Sequence, residues 1–252
     1  MRLKDKVAIV TGGGAGIGEA IALKYAQEGA RVVVAEIDSQ RGESAVRAIK
    51  DQGGEGIFVL TDVSSEDQVK AMVQAGINRF GRIDILVNNA AILITHGDGR
   101  AHEIANETWD RTINTNLRGY WLCAKYTIPH MIAQRRGDII FVASRTGIRG
   151  FAGLAAYSAS KGGVFALMRS MAADYARDGI RVNAIVPGTM DTPMNAEEFS
   201  DPEARKKYIP RIPAGRLGVA PDIAGMATFL ATDEASFCIG GVYMVDGGAD
   251  LG

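Results

Sequence analysis

Three polar residues in the middle of the chain have types and a spacing suited to moving a proton. Tyr157 and Lys161 stand four apart in Tyr157-Ser158-Ala159-Ser160-Lys161, and Ser144 closes an apolar run, Ile139-Ile140-Phe141-Val142-Ala143, a little upstream. If the first stretch is helical, i and i+4 project from one face with Cβ atoms about 5–6 Å apart. A phenol that titrates near pH ~10 is a poor base at neutral pH. An ammonium about 4 Å away favours the phenolate by roughly 4 kcal/mol at an effective dielectric of about 20. Solvent and the lysine's own desolvation reduce that figure, yet half of it brings the phenol toward working pH. Alone, Y-x-x-x-K more often marks the shared face of a surface helix, so the pair takes its meaning from the elements that position it.

The first of these is a strand, Val7-Ala8-Ile9-Val10, running into Thr11-Gly12-Gly13-Gly14-Ala15-Gly16-Ile17-Gly18, after which helix formers continue to Glu28 and Gly29 stops them. Strand, glycine turn and helix make a phosphate cradle, because glycines admit a pyrophosphate close to the backbone and the free N–H groups of the new helix face its charge. The spacing is T-G-x-x-x-G-x-G rather than G-x-G-x-x-G, and a tight turn with close helix packing is the plain alternative. A second strand, Arg31-Val32-Val33-Val34-Ala35, ends at Glu36, about 20 residues beyond the turn, where dinucleotide folds place an acid on the adenosine ribose. A carboxylate there accepts from both ribose hydroxyls and repels a 2′-phosphate, which favours NAD over NADP. Arg41 and Asp38 are the residues able to upset that preference.

Further along, the strand Ile57-Phe58-Val59-Leu60 leads to Asp62 and Val63, with Asp62 either against an adenine edge or capping the helix that begins near Ser65-Glu66. The strand Ile83-Asp84-Ile85-Leu86-Val87 ends in Asn88-Asn89-Ala90-Ala91, whose amides either tie strand ends together or line a crevice. A sixth strand, Ile180 to Val186, ends at Pro187-Gly188. Residues 189–218, with Pro193, Pro202, Pro210 and Pro213, are too long for an ordinary connection and suit a mobile lid. A helix over Asp222–Leu230 and a strand over Val242–Val245 finish the pattern. The alternation predicts one α/β domain over residues 1–252, a Rossmann-type doubly wound parallel sheet with helices on both faces and ligands at the carboxyl ends of its strands.

Composition narrows the rest. A length of 252 residues with 47% hydrophobic and 23% charged suits one domain with a sizeable core, and a net charge of -1 gives no field for nucleic acid or anionic lipid. The start, Met1-Arg2-Leu3-Lys4-Asp5-Lys6, has no signal-like apolar region, and no apolar stretch approaches ~18 residues, which points to a cytoplasmic protein without a membrane partner. Cys123 and Cys238 form no C-x-x-C, and His96, His102 and His130 lack ligand spacing, so no metal is expected.

Gly12, Glu36, Asp62, Asn88, Ser144 and Pro187 all stand at strand ends. At this point the sequence resembles the short-chain dehydrogenase/reductase family over essentially its whole length. The likeness rests on Thr11-Gly12 with Gly16 and Gly18, Asp62-Val63, Asn88-Asn89-Ala90, Ser144, Tyr157 with Lys161, and Pro187-Gly188, in the family's order and spacing. The resemblance implies that Tyr157 is the catalytic acid/base, that Ser144 hydrogen-bonds the reacting oxygen, and that Lys161 lowers the tyrosine pKa and holds the nicotinamide ribose. It implies that Asn116, rather than Asn114, anchors a proton-relay water. NAD would be held by Gly12, Gly14, Gly16, Ile17, Gly18, Glu36, Asp62, Val63, Asn89, Tyr157, Lys161, Pro187 and Gly188, with Thr192 on the carboxamide. A homotetramer is implied as well. Ala91 departs from the family's usual glycine and would narrow the crevice near the nicotinamide.

In that family the substrate pocket is built from the loop after Ala91, the residues after Ser144 and the lid. Here these supply His96, Arg100, Arg145, Thr146, Arg149, Met194 and Asn195. Such donors suit a polyol, and Arg suits a carboxylate. The expected substrate is therefore a sugar or sugar acid oxidised at a ring hydroxyl, and Pro187-Gly188-Thr189 with Asn195-Ala196-Glu197 resembles bacterial sugar dehydrogenases. Surface ion pairs are the competing role for Arg145 and Arg149. The alternatives are a 3-oxoacyl thioester reductase, against which Glu36 weighs, a dehydrogenase of cyclic or terpene alcohols, and a non-catalytic dinucleotide-binding sensor.

Overall fold

Runs of Val, Ile and Leu too short for helices build the centre of the molecule. The computed structural model describes residues 1–95 and 97–251. Its strands are β1 (Val7–Thr11), β2 (Arg31–Glu36), β3 (Glu55–Leu60), β4 (Ile85–Asn88), β5 (Gly137–Val142), β6 (Ile180–Pro187), β7 (Met190–Asp191), β8 (Gly218–Val219) and β9 (Val242–Val245). Seven of them form one parallel sheet in the order β3-β2-β1-β4-β5-β6-β9, while β7 and β8 pair separately. The chain leaves β1 outward through β2 and β3, then returns to the other side of β1 for β4. This reversal opens a crevice at the carboxyl ends of β1 and β4, where ligands of such sheets bind.

β1, β4 and β5 are buried along their whole length because helices cover both faces. Side chains alternate between two cores, as the strand period of two requires. Val7 and Ile9 join the layer of α3 (Glu66–Phe80), α5 (Gly119–Gln134) and α6 (Ala155–Tyr175). Ala8 and Val10 join the layer of α1 (Gly16–Gln27), α2 (Ser39–Asp51) and α9 (Ala220–Leu230). The shorter α4 (Asn106–Ile113) precedes α5, and α7 (Ala196–Phe199) and α8 (Pro202–Tyr208) lie within residues 189–218. That segment has a small apolar cluster of its own, Phe199, Ile212 and Leu217, apart from both main cores. No helix among the described residues is long and apolar enough to cross a membrane.

Element boundaries move by a few residues from the sequence expectation. β3 starts at Glu55 rather than Ile57, directly after the Gly53-Gly54 turn, because Glu55 already pairs with Arg31. β4 starts at Ile85 rather than Ile83; Asp84 instead accepts the Val7 N–H at 2.9 Å on its carboxylate. The cap of α3 is Ser65, which accepts from Gln68 N, so Asp62 does not cap that helix.

Candidate functional site

The β1–α1 turn is shaped by contacts that leave no room for side chains. A Cβ on Gly18 would lie 2.0 Å from the Gly12 carbonyl oxygen and 2.5 Å from Asn89 Nδ2, and one on Gly14 would lie 2.7 Å from Glu36 Cγ. α1 begins with no side-chain cap, so its first N–H groups face the crevice free for an anion. Asn89 fixes the turn from β4: its Nδ2 donates to the Thr11 and Gly12 carbonyls at 3.0 and 3.2 Å, and its N–H donates to Thr11 Oγ1 at 2.9 Å. Asn89 therefore ties strand ends and lines the crevice at once. Asn88 is fully buried, and its side-chain amide has no hydrogen-bond partner among the described residues.

A cavity of about 640 Å³ runs from this turn, lined by Gly12, Gly16, Ile17, Glu36, Asp62, Val63 and Asn89. Glu36 stands in it as a buried carboxylate. It accepts from Gly14 N at 3.1 Å on one oxygen and from Ile37 N and Asp38 N at 2.9 and 3.2 Å on the other. Arg41 lines the same end and pairs with Asp38 at 3.5 Å. Asp62 accepts from the N–H and Oγ of Ser64 at 2.9 and 2.7 Å, which holds its carboxylate at the cavity wall. The glycine cradle, the uncapped helix start and the acid at the far end fit a dinucleotide.

β5 and α6 bring the proton-moving groups together. Ser144, Tyr157 and Lys161 line an adjoining cavity of about 230 Å³, which shares Ile17, Asn89, Ala91 and Thr192 with the first. Tyr157 is 8% exposed and Lys161 2%. Burial pushes the Tyr157 phenol up to about 12, against the pull of a hydrogen bond with Ser144. Burial pushes the Lys161 ammonium down to about 7. Burial therefore opposes the expected ammonium–phenolate pair. Lys161 Nζ donates to the Val142 carbonyl at 2.9 Å and to the Tyr120 hydroxyl at 3.2 Å, with the Tyr157 ring centroid 5.8 Å away. Desolvation exceeds the pairwise attraction here because the lysine spends its hydrogen bonds elsewhere.

Asn116 sits in a π-helical turn, Asn114–Arg118, between α4 and α5. Such turns widen a helix locally and gather at functional sites. Its amide accepts from Ile92 N at 2.8 Å, donates to Ile92 O at 2.9 Å and reaches Ser160 Oγ at 3.2 Å. Ser160 in turn donates to the Tyr157 carbonyl at 2.7 Å. Asn116 therefore fastens the loop after β4 to the helix that carries Tyr157.

Two residues that sequence reasoning missed complete this framework. The Asp98 carboxylate accepts from Ala156 N at 3.0 Å and Tyr157 N at 2.8 Å, capping α6 from a loop far upstream. No local sequence signal marks it, since the residue at the cap position itself, Leu154, has no capping group. Tyr120, the second, holds Lys161.

The expected substrate residues divide. Arg145, Thr146, Met194 and Asn195 line the smaller cavity together with Pro187, Gly188 and Thr192. Asn195 already donates its amide to Met190 O at 2.9 Å. Arg145 donates to Thr189 Oγ1 at 3.1 Å and Ala249 O at 3.3 Å, and no carboxylate pairs with it among the described residues. Arg149 does not line the cavity; its Nε pairs with Asp250 Oδ1 at 2.8 Å near the chain end. Arg100 also lies outside, exposed and 3.7 Å from Glu103. His96 lies outside the described residues. The wall contains more apolar surface than expected, from Leu93, Phe151, Leu154 and Phe199, and one acid, Glu198, which accepts from the Tyr208 hydroxyl at 2.7 Å.

Residues 12–250 match the family model described as enoyl-(acyl carrier protein) reductase. The chain is 40% identical to a 3-oxoacyl-(acyl-carrier-protein) reductase of Thermotoga maritima over 98% of its own length and 99% of that protein. It is 41% identical to a cis-4-hydroxycyclohexanecarboxylate dehydrogenase of Sinomonas cyclohexanicum, over 97% and 96% of the two chains. The solved structure of levodione reductase superposes with a TM-score of 0.93 at 38% identity, covering 99% of each chain.

Proposed function

The chain belongs to the short-chain dehydrogenase/reductase family, oxidoreductases that act on alcohol or ketone groups with a nicotinamide dinucleotide, and within it we propose an NAD-linked dehydrogenase of ring secondary alcohols. The observation that carries this reading is the convergence of Ser144, Tyr157 and Lys161 on one small cavity that opens into the glycine-lined one.

A nicotinamide dinucleotide, when bound, supplies the acceptor or donor of the hydride. Gly12, Gly14, Gly16, Ile17 and Gly18 cradle its pyrophosphate, and Glu36 takes the adenosine ribose hydroxyls. A buried carboxylate at that position repels a 2′-phosphate, and Arg41 is engaged by Asp38, so NAD is preferred. Val63 and Asp62 flank the adenine, and Thr192 stands where the two cavities join. In oxidation, Tyr157 takes the hydroxyl proton while Ser144 hydrogen-bonds the same oxygen; in ketone reduction the neutral phenol returns that proton. A phenol held up near 12 keeps its proton at neutral pH, so the neutral form that ketone reduction needs is the resident one. Its use as a base depends on positive charge arriving beside it with the oxidised nicotinamide, which favours the phenolate. Residues 189–218 act as the lid over the ring.

Among the described residues, Arg149 faces Asp250 and Asn195 is committed to Met190, so Arg145 is the guanidinium that remains for substrate, in a wall that also carries Leu93, Phe151, Leu154 and Phe199. A compact alicyclic ring carrying a hydroxyl and one carboxylate fits such a wall best, with a sugar acid as the second reading on the strength of the same guanidinium. The likeness to a hydroxycyclohexanecarboxylate dehydrogenase supports the first. The test is NADH formation over 4-hydroxycyclohexanecarboxylates, cyclohexanols, neutral aldoses, uronic acids and a 3-hydroxyacyl thioester, each with NAD and NADP. Turnover of the ring carboxylates with NAD, lost in Arg145→Ala toward those substrates but kept toward neutral cyclohexanols, is the expected result. Turnover confined to the thioester, or to NADP, overturns it.

A further inference from the structure

A phenylalanine would pack as well as Tyr120 does. The ring is 1% exposed, lies tilted on Phe141 at 5.7 Å, and has the Lys161 ammonium 5.0 Å from its centroid. What a phenylalanine lacks is the hydroxyl, and this one is placed with care. It donates to the Val142 carbonyl at 3.1 Å, which turns a lone pair toward Lys161 Nζ at 3.2 Å. The same carbonyl accepts from Lys161 at 2.9 Å, so oxygen, hydroxyl and ammonium close a triangle in the interior. A buried ammonium needs acceptors for its three protons, and two of them come from β5 and α5 rather than from the helix that carries the lysine.

We propose that Tyr120 is a positioning residue for the reaction: its hydroxyl, oriented by the Val142 carbonyl, holds the Lys161 side chain charged and aimed at the junction between Tyr157 and the dinucleotide cavity. Tyr120 stands four residues after Asn116, immediately beyond the π-helical turn, so one local widening of the helix seats both Asn116 and the lysine's acceptor. The titratable groups in contact with the ammonium are Tyr120 from α5 and Tyr157 from α6, and among the described residues no carboxylate pairs with it. With no anion near, the neutral acceptors carry the whole task of keeping the amine protonated. This inference rests on the reading of Lys161 as part of the proton-moving site.

The test is Tyr120→Phe, which keeps the ring and removes the hydroxyl, with Tyr120→Met beside it as a second hydroxyl-free variant. The Lys161 titration is followed by NMR in lysine-labelled protein, assigned with Lys161→Arg. Losing an acceptor disfavours the charged form, so the midpoint moves to lower pH by about one unit, a tenfold change in the ammonium-to-amine ratio. In the pH profile of kcat/KM for NAD-linked oxidation, the high-pH limb moves down with it and the low-pH limb of Tyr157 moves up. A purely structural tyrosine would change the melting temperature and leave both limbs in place. An unmoved Lys161 midpoint in a folded variant overturns the proposal. Because the NMR titration needs no substrate, it decides on Tyr120 even if the wild-type protein turns over nothing in the panel, a result that would sink the proposed function instead.

Discussion

Removing the Asp98 carboxylate tests whether α6 is held in place by a loop rather than by its own start. In Asp98→Ala, Ala156 N and Tyr157 N lose acceptors at 3.0 and 2.8 Å, and Gly99 N loses one at 2.9 Å. Loss of a helix N-cap costs about 0.5–2 kcal/mol, and a carboxylate at that end adds a favourable charge–dipole contribution of about 0.3–1 kcal/mol. For a chain of this size, about 1–2 kcal/mol lowers the melting temperature by about 2–8 °C. Since one released N–H belongs to Tyr157 itself, the phenol shifts as well, and misplacement by about 1 Å can cost about a hundredfold in rate. The assay is a thermal melt together with kcat and the affinity for NADH by fluorescence. We expect a lower melting temperature, kcat reduced at least about tenfold, and NADH affinity nearly unchanged, because the glycine cradle lies on a different element. Asp98→Asn, which keeps one acceptor oxygen, falls between. A melting temperature within about 1 °C of wild type with full kcat refutes the assignment of the cap to Asp98.

Three further outcomes follow from the same geometry. Tyr157→Phe abolishes turnover while leaving NADH binding largely intact by fluorescence titration; undiminished turnover removes Tyr157 from the mechanism. Glu36→Ala lowers kcat/KM with NAD and raises the NADP-to-NAD ratio of kcat/KM, read from initial rates with each cofactor, and an unchanged ratio contradicts the ribose role. Lys161→Met inactivates the enzyme yet stabilises it. The lysine's folded pKa, about 7, lies below the unfolded value of about 10.4, so the unfolded chain binds more protons between those values and wild-type stability rises with pH across that window. The melting advantage of Lys161→Met is therefore largest below about pH 7 and shrinks toward pH 10; an advantage that grows with pH contradicts the buried-ammonium account.

What the sequence made legible was whatever depends on local pattern. The apolar runs within β1, β2 and β5, the glycine turn after Thr11 and the one-face spacing of Tyr157 and Lys161 are short-range features, and they survive into the structure. What stayed hidden depends on contacts between distant segments. Asp98 meets α6 across nearly sixty positions, and Tyr120 meets Lys161 across forty-one. Arg149 looked like a substrate donor because it follows Ser144 closely, but Asp250, a hundred residues on, draws it away. Spacing shows that Tyr157 and Lys161 share a face but not how dry that face is, and burial pushes the phenol up and the ammonium down.

The small cluster of Phe199, Ile212 and Leu217 carries a consequence for how the molecule breathes. Residues 189–218 are knit together by their own apolar contacts and by the Arg205–Asp191 ion pair at 2.8 Å, and of their buried apolar residues Met190 joins a main core. Held mainly by Phe199, Ile212 and Leu217, such a segment is expected to open at a free energy below that of the sheet. Its amides would exchange with solvent through partial opening at rates insensitive to the stability of the whole. A protease would cut there first and leave the seven-stranded body standing.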